Sequence, residues 1–204
     1  MALSAPAERE AMHARRYDFR GFRRADGLWD IEGRIVDTKD YSFENRDRGE
    51  IRPGEPLHDM AVRLTLDDRM TVRDIEAVTE AGPFTICPVI AANYRKLIGK
   101  RVGRGWRAAL RETMGGTEGC THITEMLGAM ATVAFQTIFP ARDSESRTRS
   151  ADKAGARDDK RDDKAALLLN TCHAFASDSP VVRREWPAHY TGPDQPETSG
   201  DGTL

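Results

Sequence analysis

A switch in the spacing of apolar side chains near residue 87 constrains this chain more than any other feature. Before it, apolar residues recur at every second position, in Arg16-Tyr17-Asp18-Phe19-Arg20-Gly21-Phe22 and again in Leu28-Trp29-Asp30-Ile31-Glu32-Gly33-Arg34-Ile35-Val36-Asp37-Thr38. Period two marks half-buried strands, and the intervening Ala25-Asp26-Gly27 turn makes the pair a β-hairpin. Pro53-Gly54 is the strongest breaker in a Gly-, Pro- and charge-rich stretch from Glu44 to Pro56, which reads as a loop. A third strand opens at His58, with Met60, Val62, Leu64 and Leu66 on one face, and Asp67-Asp68-Arg69 turns the chain into a fourth, from Met70 to Thr79.

From Cys87 the period lengthens. Pro88 suits a first helical turn, and Val89, Ile90, Tyr94, Leu97 and Ile98 keep helical spacing until Gly99. A second helix is expected over Trp106–Met114, stopped by Gly115-Gly116. A third runs from Thr121 to Ile138, with Ile123, Met126, Leu127, Met130, Val133, Ala134 and Ile138 at three- and four-residue intervals. Strands followed by helices predict an α+β fold, an antiparallel sheet of about four strands with the helices packed on it.

The flanks differ in kind. Residues 1–14 read as a flexible start, 15–140 as the α+β core, and 141–166 as a charged insertion without large side chains to offset chain entropy. Residues 167–191 regain apolar content and are expected to dock on the core as a strap, before a loose tail over 192–204.

The 204 residues carry 31 basic and 33 acidic side chains, a formal charge of −2, so no global field favours nucleic acid or an anionic membrane. No apolar run reaches membrane-spanning length and the first residues lack an export pattern, which predicts a cytoplasmic protein. Cys87, Cys120 and Cys172 are odd in number and unframed, as reduced thiols are. A dinucleotide fingerprint, a phosphate loop and a Gly-x-Ser-x-Gly elbow are all missing from the sequence, which removes NAD, ATP and serine-hydrolase chemistry.

Chemistry concentrates at Gly119-Cys120-Thr121-His122-Ile123-Thr124-Glu125. A helix starting at Thr121 puts the Cys120 thiol beside unpaired N–H groups, where thiolate is favoured. His122 and Glu125 share a helix face, and with Ala129 and Gln136 they form a polar stripe beside the apolar one, where a pocket wall would lie. His58, at a strand start beside Asp59, is the other candidate imidazole, although strand neighbours diverge. The catalytic set is therefore His58, His122, Glu125, Cys120 and Asp59. Substrate contacts are assigned to His173 or Cys172 from the strap, to Arg34 and Arg63 (with Arg20) as holders of an acidic group, and to Gln136 and Tyr17. His13 and His189, near the ends, are read as solvent-facing.

His58-Asp59-Met60, Gly82-Pro83-Phe84, Gly115-Gly116 through His122, Ala134-Phe135-Gln136-Thr137-Ile138 and Asn170-Thr171-Cys172-His173-Ala174 together resemble a bacterial domain-of-unknown-function family, number 2889. The likeness spans most of residues 15–190, and it implies a link with bacteria that degrade aromatic compounds. A fainter one is to the iron–sulfur scaffold proteins of the NifU/IscU type. Cys87 and Cys120 stand at comparable places there, but the scaffold's first cysteine is absent and Gly119 replaces the histidine before its last one.

Two functions follow as expectations. The first is a cofactor-independent carbon–carbon lyase that removes carbon dioxide or formaldehyde from an aromatic catabolic intermediate by acid–base chemistry, with a small-molecule substrate and no metal. One histidine near neutral pKa, a carboxylate to orient it and a water-excluding wall suffice for that. The alternative is an accessory protein binding zinc, iron or an iron–sulfur cluster through His58, Cys120 and His122, with Cys87 or His173. A homo-oligomer is compatible with either.

Overall fold

The computed structural model describes residues 3–149 and 168–193 and divides into two compact units, the first ending at Asp143. In the first unit β1 (His13–Arg23), β2 (Trp29–Lys39), β5 (Pro56–Leu66) and β6 (Val72–Ala81) form an antiparallel sheet in the order β1-β2-β5-β6. The α+β architecture is the one the change of period requires. Parity decides the faces: Trp29, Ile31, Gly33 and Ile35 of β2 and Met60, Val62, Leu64 and Leu66 of β5 are buried, while the residues between them carry the charge.

The stretch read as a loop contains a small hairpin, β3 (Phe43–Asn45) and β4 (Gly49–Ile51). Its turn is tied by Asn45 Oδ1, which accepts the N–H groups of Asp47 and Arg48, and Gly49 supplies the positive φ of 74° that closes it. The flexible start is also shorter than expected, because β1 begins at His13 and pairs along its whole length with β2.

Helices cover one face. Cys87–Leu97 winds as a 3₁₀ helix rather than the expected α-helix, and the tighter winding stacks Tyr94 over Leu97, three apart and both fully buried. It is followed by α1 (Trp106–Met114) and α2 (Thr121–Arg149). Ile123, Met126, Leu127, Met130, Ala134 and Ile138 of α2 lie against the sheet, each large one contributing about 1.5–3 kcal/mol by leaving water. Close approach needs glycine beneath: a Cβ at Gly21 would overlap the Thr137 side chain, and one at Gly33 would come within 3.0 Å of Met130 Sδ. The helix also runs past Pro140, so residues 141–149 of the expected insertion are helical, and Arg142 Nη1 donates to the Asp68 carbonyl. The rest of that insertion, residues 150–166, and the tail from 194 lie outside the described residues.

Tyr94 fixes the start of α2. Its hydroxyl donates to the Cys120 carbonyl at 2.9 Å, accepts the Cys120 N–H at 2.8 Å and meets Thr124 Oγ1 at 2.9 Å. Gly119 permits this, since a Cβ there would lie 3.0 Å from that hydroxyl and 2.6 Å from the Met114 carbonyl oxygen. Tyr94→Phe leaves the part-buried Cys120 N–H without its acceptor and is expected to lower stability by about 1–3 kcal/mol in urea unfolding.

The second unit has its own apolar cluster, in which Val182 and Trp186 are buried among Leu168, Leu169, Phe175 and Tyr190. Its helix α3 (Pro180–Glu185) is capped by Ser179 Oγ, which accepts the Val182 N–H at 3.1 Å.

Candidate functional site

Register builds the site. Arg15 of β1 lies opposite Asp37 of β2, and Asp37 lies opposite His58 of β5, so the three form one row across the helix-covered face of the sheet. The β2–β5 register shifts just after Asp37, at the end of the regular pairing. The N-terminus of α2, held by Tyr94, sets His122 over this row, with the His58 and His122 ring centroids 3.8 Å apart and tilted by 33°.

Asp37 is the hub. Its side chain is only 2% exposed and is gripped by Arg15, whose Nε donates to Oδ1 at 2.7 Å and Nη2 to Oδ2 at 2.8 Å. His58 Nδ1 lies 2.9 Å from Oδ2, His122 Nε2 3.6 Å from the same oxygen, and His13 Nε2 3.4 Å from Oδ1. The carboxylate, having no proton, makes Nδ1 of His58 the donor and leaves its Nε2 as the acceptor. Glu125, largely exposed, braces Arg15 by accepting from Nη1 at 3.0 Å.

The electrostatics keep the carboxylate charged and the imidazoles neutral. Burial pushes Asp37 up, but the hydrogen bonds and charge of Arg15, helped by His58, outweigh it and hold it at about 2. The Arg15 guanidinium is stabilised by the same bonds. His58 is lowered from 6.5 by burial and by His122, against the pull of Asp37; His122 is lowered by burial and by the Arg15 charge.

This fixes the sign of an acid effect on stability. An imidazole whose folded pKa lies below its unfolded value costs nothing above pH 6.5 and an increasing amount below it, because the unfolded chain then binds protons more readily. Asp37, depressed from 3.8 to about 2, contributes stability that is complete above 3.8 and lost only as pH falls through that lower window. The thermal midpoint is therefore expected to fall between pH 7 and 5, and to fall less in a His58→Gln/His122→Gln double variant. Parallel curves for the two proteins would count against neutral, buried imidazoles.

The structure brings together four of the residues singled out from sequence: His58, His122, Cys120 and Glu125. Cys120 Sγ sits 3.8 Å from His122 Nδ1 and 3.8 Å from Met60 Sδ, at the edge of the group. Tyr17, on the same face of β1 as Arg15, is raised in pKa by burial and by Glu125. The pleat sends Asp59 and the three arginines to the other face of the sheet. Asp59 faces the opposite side of the sheet and is paired with Arg34, through Nε at 2.8 Å and Nη2 at 2.6 Å, so it orients no imidazole. Arg63, paired with Glu32 and Glu76, and Arg20, paired with Asp18, share that outer face and line a charged trough of about 490 Å³. Gln136 is exposed and, at about 1.5 Å of rise per residue, sits roughly 20 Å along α2 from His122. Cys87 begins the 3₁₀ helix, while Cys172 and His173 are exposed in the second unit.

Asp37, Arg15 and His13 are the residues that sequence reasoning missed. For Asp37 a signal existed: it continues the buried parity of Trp29, Ile31, Gly33 and Ile35, where an acid calls for a partner. His13 is exposed, as its place near the end of the sequence suggests, but it opens the paired strand β1 and reaches Asp37 Oδ1.

Among the described residues, Asp37, His58 and His122 also form a group able to hold a metal ion, their ligand atoms all lying within 4.8 Å of one another. Cys120 is not in that group. No helix of the described residues is long and apolar enough to cross a membrane.

The model of one protein family, described as a protein of unknown function, DUF2889, matches residues 13–136. The matched span contains every residue of the row and of the α2 N-terminus. No curated protein and no solved structure matches, so the likeness to NifU/IscU scaffolds rests on the sequence pattern alone.

Proposed function

The chain belongs to the DUF2889 family, and we propose that it is a small-molecule enzyme whose Asp37–His58–His122 group carries out acid–base catalysis, as a carbon–carbon lyase acting on an aromatic compound. The observation that carries this reading is the cross-strand row Arg15–Asp37–His58 with a second imidazole in ring contact above it. A buried carboxylate pinned by arginine orients His58 through Nδ1, and a neutral ring with Nε2 free is a base at ordinary pH. Held by Arg15, Asp37 stays anionic and stabilises the imidazolium when it forms.

In a deformylation, His58 Nε2 would accept the proton of a primary hydroxyl, the C–O bond would become C=O, and the C–C electron pair would stay on the carbon attached to the aromatic group. Formaldehyde would leave. The same proton, returned to that carbon directly or through His122, would close the cycle without change in the enzyme. In a decarboxylation the substrate is already ionised; carbon dioxide would leave, and one proton taken up from water by the imidazole pair would pass to the carbanion carbon, so that this route draws on the protonated fraction of the pair. Both routes need one mobile proton and no electron carrier.

Turnover of aromatic acids and hydroxymethyl-bearing aromatic alcohols, followed by release of carbon dioxide or formaldehyde, tests the reading. Fragment release that depends on His58 supports it. Release equally fast in His58→Gln, or none from any compound by the folded wild-type protein, would remove it.

A further inference from the structure

We propose that Asp37, His58 and His122 also form a binding site for a divalent transition metal of the zinc class, and that the ion, where it binds, switches the acid–base site off. The inhibitory part rests on the function proposed above; the binding part does not.

The geometry is that of a partly assembled coordination sphere. A tetrahedral zinc with ligands at about 2.0–2.2 Å places its donor atoms about 3.3–3.6 Å apart. His58 Nδ1 and His122 Nε2 lie 2.9 and 3.6 Å from Asp37 Oδ2, and one ligand atom from each of the three residues falls within 4.8 Å of the others. The two rings, now 3.8 Å apart between centroids, splay by rotation of their side chains to aim both nitrogens at one ion. Donor types fit as well, two imidazole nitrogens and a carboxylate oxygen, leaving a fourth position for water.

The supports are those of a ligand set. Asp37 and His58 are fixed by strand pairing and His122 by the clamped start of α2, so each ligand comes from a different rigid element. Cys120 Sγ lies by Nδ1 of His122, the nitrogen away from Asp37, where it serves as a partner of the ring and not as a ligand. Arg15 grips both oxygens of Asp37, and the lone pair of Oδ2 that accepts from His58 Nδ1 becomes available once a metal displaces that proton. The positive charge of Arg15 opposes a second cation, which makes the site a reversible one.

Metal and proton chemistry exclude each other here. An ion on Nδ1 of His58 displaces the proton that Asp37 holds there, and an ion on Nε2 of His122 takes the lone pair through which that ring would relay a proton.

Isothermal titration of the full chain with zinc chloride, in a buffer that does not bind zinc, tests the site. One saturable equivalent is expected, lost in His58→Gln and in His122→Gln, both checked for folding by circular dichroism, and retained in Cys120→Ser. Where turnover is measurable, it should fall in step with occupancy and return on adding a chelator. Absence of saturable binding, or binding unaffected by either histidine substitution, overturns the site; loss in Cys120→Ser overturns the ligand assignment. Activity that requires the metal overturns the inhibitory role. A protein that binds zinc but releases no fragment from any substrate retains the site and defeats the lyase reading, so the two failures are separable.

Discussion

Replacing Asp37 by Asn is expected to lower turnover by about 10²–10⁴-fold while the protein stays folded, an effect larger than that of any other single change of one atom type in the site. The reason lies in hydrogen-bond direction. Asp37 can only accept, which forces the His58 proton onto Nδ1 and leaves Nε2 open. An asparagine amide can instead present its NH₂ group, reversing the bond and blocking Nε2 with the ring's own proton. The change also removes the anion that Arg15 grips through two bonds, so a stability loss of about 1–3 kcal/mol is expected in denaturant titration. Arg15 is partly exposed, and its head group recovers some hydration, which keeps the loss moderate. Turnover within a few-fold of wild type would show that Asp37 is only a structural anion.

His58→Gln and His122→Gln are expected to lower turnover by about a hundredfold or more each, since positioned proton transfer contributes at least that much. The pair should not be additive, because the rings are in contact and share one carboxylate. A double variant close to the worse single variant would identify one proton-handling unit. Cys120→Ser should be milder: its sulfur lies 3.8 Å from both His122 Nδ1 and Met60 Sδ, at the rim of the group, and the proposed chemistry has no covalent thiolate step. A cysteine variant more damaged than either histidine variant would favour a thiol-based function.

Much of the fold was legible because its signals are local. Alternation exposed the four long strands, and the three- and four-residue spacing of Ile123, Met126, Leu127 and Met130 exposed the buried face of α2. The β3–β4 hairpin was not, since three-residue strands carry too few positions to show a period. His58 and His122 stood out as imidazoles at the start of a strand and of a helix. Their contact depends on register between strands more than twenty residues apart and on a tyrosine hydroxyl clamping α2, neither of which a local pattern encodes. The choice of Asp59 as orienting carboxylate shows the cost of adjacency in sequence: the pleat turned it to Arg34, and the acid opposite His58 across the ladder, Asp37, took the role.

Nitrogen-15 NMR of the imidazole rings as a function of pH tests the central claim most directly, because it needs neither substrate nor turnover. His58 and His122 are expected to titrate below 6.5, with the neutral His58 ring protonated at Nδ1, and Asp37→Asn should lower the His58 midpoint further by removing the anion that favours its charged form. A His58 ring protonated at Nε2 in its neutral form, or a midpoint above 6.5 for either ring, would contradict an aspartate-oriented base at this site.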